Sequence, residues 1–378
     1  RTLFPYTTLF RSQGDGADAT ARDVLHDRFP HLTYGEHAAA QRKAETYTSY
    51  DGDLSEGPYP ALDFRSEAYA GPPLSPHRLE RLSESPYAYF LRDVLNVHPL
   101  EEPALSDEPW LTPLRRGSIL HATFENFLTA VQQPTEAHRD ALTAAFQKAF
   151  DDEVRTHAPP RQVVEDNARR QLMADVELFF RVECAETQYT PRVLEWSVGM
   201  PRHRRRERGT STPDDGPSRF RLAWGDDLAI PFRGTVDRID MHDDGTLAVW
   251  DYKTGAQRFE PTDPLDGGTH LQWALYAYAV QQQFREEGHE AATVARAGYY
   301  YATRRGMGAR LFADPHAYRE AIVAHINDLA EAARAGDFRM ADRPQNTNAW
   351  RYGDLNRICP DPRSRGAVLR KKTDPAPS

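Results

Sequence analysis

Two adjacent segments of alternating apolar and charged residues constrain the fold of this chain most strongly. Residues 234–253 have the pattern of two β-strands joined by a turn that contains an Asp-Gly pair, the combination favoured between antiparallel strands. Asp237 lies on the first strand. Asp251 and Lys253 share one face of the second strand, because strand side chains alternate. The pattern therefore predicts a β-hairpin that carries two carboxylates and an ammonium group.

These three side chains indicate a class of chemistry. Two carboxylates can bind a hard divalent cation, and a bound cation together with a lysine can polarise a water molecule. An Asp-x-Lys pair alone is common and also occurs as surface charge on ordinary strands. The longer pattern around Asp237, Asp251 and Lys253 favours metal-dependent hydrolysis over that alternative.

The rest of the chain changes period from helix to strand and back. Apolar residues recur at helical spacing over 117–131, 136–156, 162–187, 271–284 and 316–334. Strand-like patterns, which we expect to form one sheet, occur over 193–198, 220–224, 230–240, 246–253 and 293–302. This order predicts an α/β fold with a central mixed sheet flanked by helices.

Composition shifts suggest the limits of the domain. Residues 1–12 read as a translated sequencing adapter, although an aromatic N-terminal strand is the alternative. Residues 13–75 are polar and rich in proline, which predicts a linker or the tail of a missing upstream domain. We expect the folded domain over 76–362 and a disordered basic tail over 363–378.

Bulk properties exclude several classes of protein. There is no run of eighteen apolar residues, so we expect no membrane association. The two cysteines, Cys184 and Cys359, give no disulfide framework and favour a cytoplasmic location. The net charge of −9 cannot attract nucleic acid globally, so any DNA contact needs a local basic surface.

Three patterns in a fixed order resemble the PD-(D/E)XK nuclease superfamily, and in particular its RecB/AddB-like exonuclease domains. The hairpin contains Gly-x-x-Asp-Arg-Ile-Asp followed by Trp-Asp-Tyr-Lys-Thr-Gly. A Gly-x-x-x-His-x-x-x-Glu segment starts upstream at Gly117, and a Gln-x-x-x-Tyr segment starts downstream at Gln272. The resemblance implies a restriction-endonuclease-like core with an α-helical N-terminal part.

The resemblance also implies a metal site and a catalytic set. His121, Asp237, Asp251 and the backbone carbonyl of Tyr252 would hold Mg²⁺ or Mn²⁺. Asp237, Asp251 and Lys253 would be the catalytic residues, with the lysine positioning and activating the attacking water.

Four further residues are candidates on weaker grounds. In the family, Gln272 and Tyr276 would orient the site and bind the DNA backbone; two polar residues on a solvated helix face are the alternative. Glu195 is a single acid on an apolar strand, near the metal or on a surface edge. Glu125 lies one helical turn from His121 and is a candidate to support it.

The sequence departs from those relatives that hold an iron–sulfur cluster on four cysteines. Ser85 stands where the first cysteine would be, and Trp350 and Gly353 replace two others, so that only Cys359 remains. One thiolate cannot hold such a cluster. We therefore predict no iron–sulfur cluster.

These expectations together predict an enzyme, a metal-dependent deoxyribonuclease that acts as an exonuclease in recombination and double-strand-break repair. DNA is the expected substrate, and the expected partner is a helicase subunit or a missing helicase-like N-terminal part. The alternatives are a non-catalytic DNA-end-binding scaffold subunit and a stand-alone CRISPR-associated-type nuclease that trims ends. Arg202 to Arg208 could contact phosphates or form a solvated loop.

Overall fold

The computed structural model describes residues 15–42, 44, 46–98, 109–200, 220–225 and 228–339. They form two compact units. One unit comprises the described parts of Arg1–Pro58, Ser85–Leu95 and Ala335–Ser378, and the other comprises those of Tyr59–Glu84 and Asn96–Arg334. The hairpin and every other candidate site residue with a described position, Ser85 excepted, belong to the second unit.

Regular elements follow the predicted order. The helices are α1 Asp15–Arg28, α2 Pro30–Arg42, α3 Pro76–Glu84, α4 Pro86–Tyr89, α5 Pro113–Ala130, α6 Arg139–Thr156, α7 Gln162–Ala185, α8 Gln272–Glu286 and α9 Arg319–Ala335. The strands are β1 Tyr189–Val198, β2 Arg221–Ala223, β3 Ala229–Pro231, β4 Gly234–His242, β5 Leu247–Tyr252, β6 Val294–Tyr301 and β7 Ala309–Ala313.

The second unit is built on one mixed sheet of five strands in the order β1-β4-β5-β6-β7. Strands β5 and β6 are parallel, and the other neighbours are antiparallel. Strands β4 and β5 form the predicted hairpin, whose turn contains Gly245 at a φ of 86°. A left-handed φ of this kind favours glycine. The predicted α/β class, with a mixed sheet and flanking helices, is confirmed.

Side-chain alternation along β5 assigns its two faces. Ala248, Trp250 and Tyr252 belong to the apolar core that α5, α6 and α7 complete. Within that core the rings of Phe124 and Phe179 stack with centroids 3.9 Å apart. The intervening residues of β5 therefore point to the opposite face, where α8 lies.

The prediction that residues 220–224 continue the main sheet is wrong. Strands β2 and β3 pair with each other in a separate two-stranded sheet. The backbone beyond β3 is already engaged, because Leu74 donates to the carbonyl of Pro231 and accepts from the N–H of Arg233. Pairing with the main sheet begins only at Gly234, the first residue of β4.

The first unit contains α1, α2 and α4, and the stacked rings of Phe90 and Phe338, 5.1 Å apart, pack within it. Two helices thus lie in the segment 13–75, for which the sequence predicts a linker or tail, and the domain limits stay a prediction. Residues 1–12 and 363–378 lie outside the described residues. None of the described helices combines the length and the apolar character that crossing a membrane requires.

Candidate active site

Three metal-ligand side chains from three elements meet at one end of the hairpin. His121 of α5, Glu195 of β1 and Asp237 of β4 place one donor atom each within 4.8 Å of one another. His121 Nδ1 is 3.4 Å from Asp237 Oδ1 and 3.9 Å from Glu195 Oε1. Asp237 is also fixed by the backbone N–H of Tyr252, which donates to its Oδ2 over 2.8 Å.

Glu195 has an unusual backbone conformation. It lies on β1 between Leu194 and Trp196, which pair with Arg238 and Val236, so it is opposite Asp237 in the register. Its φ is 48°, in the left-handed region that is unfavourable for residues with a Cβ. Such strain often marks functional positions. Strand β1 is an edge strand, yet the Glu195 carboxylate is only 16% exposed.

The second acid of the hairpin forms its own cluster. Asp251 Oδ2 lies 2.6 Å from Lys253 Nζ, and Gln272 Nε2 donates to Asp251 Oδ1 over 2.7 Å. Lys253 Nζ donates to Gln272 Oε1 over 2.8 Å, which closes a triangle of three side chains. The Lys253 ammonium also lies 4.8 Å from the centre of the Tyr299 ring.

Burial and charge shift the protonation of this cluster in identifiable directions. Burial lowers the pKa of His121, but the charges of Asp237, Asp251 and Glu195 outweigh it, so the net pKa is raised. Burial raises the pKa of Asp251; Lys253 opposes the rise and Asp237 adds to it. Burial lowers the pKa of Lys253, yet the neighbouring Asp251 carboxylate produces a net increase. Lys253 is therefore an ammonium ion at neutral pH.

Gln272 and Tyr276 lie on the same side of α8 and are both buried, at 5% and 6% exposure. The ring of Tyr276 packs on the backbone of Gly234, where an added Cβ would lie 2.6 Å from its Cε1. A glycine at this position therefore permits the close approach of α8 to the first residue of β4. Burial, with the charge of Asp251 adding to it, raises the pKa of the Tyr276 hydroxyl.

Glu80 of α3 is a supporting residue that sequence patterns did not reveal. Its Oε1 accepts the backbone N–H groups of Leu271 and Gln272 over 2.8 and 2.9 Å, and its Oε2 lies 3.1 Å from His77 Nδ1. Burial raises the pKa of Glu80, but these hydrogen bonds outweigh it and the net pKa is lowered. A carboxylate 191 residues upstream thus anchors the start of α8, and no local pattern could have identified it.

Two other charged residues of the hairpin face away from this site. Arg238 and Asp240 are fully buried on the face opposite Asp237, joined by a contact of 2.5 Å. Arg238 also donates to Glu183 of α7 over 2.8 Å, and Arg310 joins the same carboxylate over 2.7 Å. Burial raises the pKa of Asp240. We assign this ion network to the core rather than to catalysis.

Several predicted residues keep the status of predictions. Tyr252 contributes its backbone N–H to Asp237, and its ring packs 5.5 Å from that of His121; a role for its carbonyl is not tested by these contacts. The His–Glu–Asp group of donor atoms does not include Glu125 among the described residues. Ser85 caps α4 by accepting the N–H of Ala88.

The remaining predicted positions, Trp350, Gly353 and Cys359 together with Arg202 to Arg208, lie outside the described residues.

Comparison with known proteins agrees with this geometry. A family model of the PD-(D/E)XK nuclease superfamily matches residues 73–360, about three quarters of the chain, and that range contains every site residue named above.

Several curated relatives carry names that make them one of the subunits of an ATP-dependent helicase/deoxyribonuclease. The chain is 28% identical to the relative from Streptococcus agalactiae over 189 residues, which cover 50% of this chain and 14% of the relative. It is 22% identical to the relative from Clostridium tetani over 240 residues, which cover 60% of this chain and 19% of the relative. The chain thus spans less than a fifth of the length of these relatives.

Proposed function

Given that this chain belongs to the PD-(D/E)XK nuclease superfamily, we propose that it is a Mg²⁺-dependent deoxyribonuclease that acts as an exonuclease. The observation that carries the proposal is the contact of 2.6 Å between Asp251 and Lys253, beside the cluster of His121, Glu195 and Asp237. A metal site next to a fixed ammonium group is the arrangement that phosphodiester hydrolysis needs.

The donor set fits a hard divalent cation. Three carboxylates, of Glu195, Asp237 and Asp251, lie within electrostatic range of His121, and each is at most 16% exposed. Gathering like charges in a buried place is costly unless a cation compensates them. Oxygen donors with one imidazole suit Mg²⁺ or Mn²⁺.

We assign metal binding to His121, Asp237, Asp251 and the carbonyl of Tyr252, and add Glu195 to this set. When bound, the cation would supply Lewis-acid stabilisation and a more acidic water molecule.

Lys253 acts as a fixed positive charge in this proposal. Its raised pKa means that it cannot accept a proton at neutral pH, so it orients the attacking water and stabilises negative charge that develops on the phosphate oxygens. Asp251 and Gln272 hold its Nζ in place. Because both polar atoms of the Gln272 amide already bond to these two side chains, we propose that it acts chiefly by positioning Lys253.

The setting of the reaction is also a proposal. The relatives are named as helicase/deoxyribonuclease subunits, which supports DNA as the substrate and a helicase subunit or helicase-like segment as the partner. On that basis we propose a role in recombination and double-strand-break repair. The non-catalytic scaffold remains as the outcome that the experiment below can select.

The test is cleavage of end-labelled linear DNA by the full chain, with Mg²⁺, with Mn²⁺ or with EDTA. Asp251→Asn and Lys253→Ala should abolish the metal-dependent cleavage. Asp243→Ala, in the exposed turn of the same hairpin, and Lys148→Ala, on the exposed side of α6, should retain it. If the folded wild-type protein binds DNA without cleaving it in either metal, the scaffold interpretation replaces the nuclease.

A further inference from the structure

A cavity of about 540 Å³ opens beside the proposed catalytic residues. Its lining includes Thr254, which directly follows Lys253, and Leu120, which directly precedes His121. Consecutive Cα atoms are about 3.8 Å apart, so the cavity begins one residue from each of these two side chains. This volume falls in the range of about 300–1,000 Å³ typical of ligand pockets.

The lining is positively charged although the chain is acidic. Arg116, Arg304 and Arg305 line the cavity, and Asp175 is the one acid among its described lining residues. Three cations against one anion leave two positive charges, in a chain whose net charge is −9. A concave site with such a local excess attracts anions.

Asp175 holds two of the arginines in place. It is 4% exposed, and its Oδ1 accepts both the backbone N–H and the Nε of Arg304 over 3.0 Å. Its Oδ2 lies 3.3 Å from Nη2 of Arg116. The remaining N–H groups of both guanidinium ions are left to the cavity or to Gln171, whose side chain and backbone carbonyl accept one bond from each.

Arg305 differs from its neighbours. It is exposed, and it forms no ion pair with any residue in the part of the chain that the structure describes. A structural role in the Asp175 cluster explains Arg304 but not Arg305. The loop that carries both residues is tied to the end of β5, because the Thr303 hydroxyl donates to the carbonyl of Thr254 over 3.2 Å.

We infer that this cavity binds a phosphate group of the DNA strand that is being cleaved, with Arg305 as its principal contact and Arg116 and Arg304 as pre-oriented supports. The inference rests on the proposed function, since it assigns a place to the substrate of that site. Guanidinium groups suit phosphate oxygens because they present paired, planar donors. A strand held here would continue from the cavity to Lys253.

The test measures binding apart from cleavage. The full chain is titrated with a 3′-fluorescein-labelled 20-nucleotide single strand in EDTA, and affinity is followed by anisotropy at several salt concentrations. Arg305→Ala should weaken binding about fivefold and reduce the slope of log K against log salt by about 0.7, the value for one phosphate contact on a single strand. Arg305→Lys keeps the charge and should keep the slope.

Arg161→Ala is the matched control. It removes an equally exposed arginine just before α7, ten residues from Gln171 and outside the cavity lining. Melting curves of all variants establish that they are folded. If Arg305→Ala and Arg161→Ala bind DNA alike, the cavity is not a phosphate site.

Two forms of the oligonucleotide distinguish the source of the phosphate. Equal weakening with a 5′-phosphate and with a 5′-hydroxyl assigns an internal phosphodiester to the cavity, whereas weakening confined to the phosphorylated strand assigns a terminal phosphate. Cleavage in Mg²⁺ is scored separately on the same DNA. Failure of the wild type to cleave, with the Arg305 effect intact, counts against the proposed nuclease alone.

Discussion

Replacement of Gln272 by alanine separates two roles that this residue could have. The resemblance implies contact with the DNA backbone, whereas in the structure its amide joins Asp251 and Lys253 over 2.7 and 2.8 Å. The side chain is 5% exposed, which leaves little of it for DNA. We therefore expect Gln272→Ala to lower kcat and to leave DNA affinity unchanged.

The magnitude follows from the two hydrogen bonds. Each bond to a charged group contributes about 1.5–3 kcal/mol. If the transition state loses the equivalent of one bond, about 2 kcal/mol, kcat falls about 30-fold, since each 1.36 kcal/mol corresponds to a factor of about ten. The loss appears in kcat because the bonds position Lys253 rather than hold the substrate.

Single-turnover cleavage in Mg²⁺ and equilibrium DNA binding in EDTA measure the two quantities separately. Gln283→Ala is the matched control, because Gln283 lies on the same helix but is solvent-accessible and bonds only to Glu287 among the described residues. It should behave as the wild type in both assays. A Gln272→Ala protein that cleaves normally, or one that loses only DNA affinity, would refute the positioning role.

Two further changes test the packing that supports the site. Gly234→Ala should lower the free energy of unfolding by about 2 kcal/mol in guanidinium denaturation, because its Cβ would lie 2.6 Å from the Tyr276 ring; Gly117→Ala, whose Cβ meets nothing within 4 Å, should instead stabilise α5 by about 0.5 kcal/mol. Equal effects would contradict the steric explanation. Glu80→Gln should destabilise the protein by about 1 kcal/mol at pH 7, because the N–H groups at the start of α8 lose a charged acceptor. Since the folded-state pKa of Glu80 lies below its ordinary 4.5, this stabilisation is complete above pH 4.5 and is lost as the pH falls through the lower value, so the difference between variant and wild type should shrink there. A difference that grows in acid would show that the charge of Glu80 does not anchor the helix.

Local patterns identified the residues of the site because their chemistry is encoded within single elements. Alternation along the hairpin placed Asp251 and Lys253 on one face, and the structure has them in direct contact. Helical spacing placed His121 on α5, from which it meets Asp237 at 3.4 Å. Such periodicities can be read without knowing how the elements pack.

Contacts between distant segments were beyond the reach of those patterns. Glu80 beneath α8, the cavity around Asp175 and the separate pairing of β2 with β3 each join parts of the chain that no sequence spacing relates.

Within the hairpin itself, the sequence by itself determined that Asp237 and Arg238 face opposite sides, because strand side chains alternate. Only the tertiary structure decided which side became the site. Glu183 and Arg310 enclose Arg238 and Asp240 in the core, while His121 and Glu195 converge on Asp237. The physical reason is that a charge becomes structural or reactive according to the partners and the solvent that packing leaves around it.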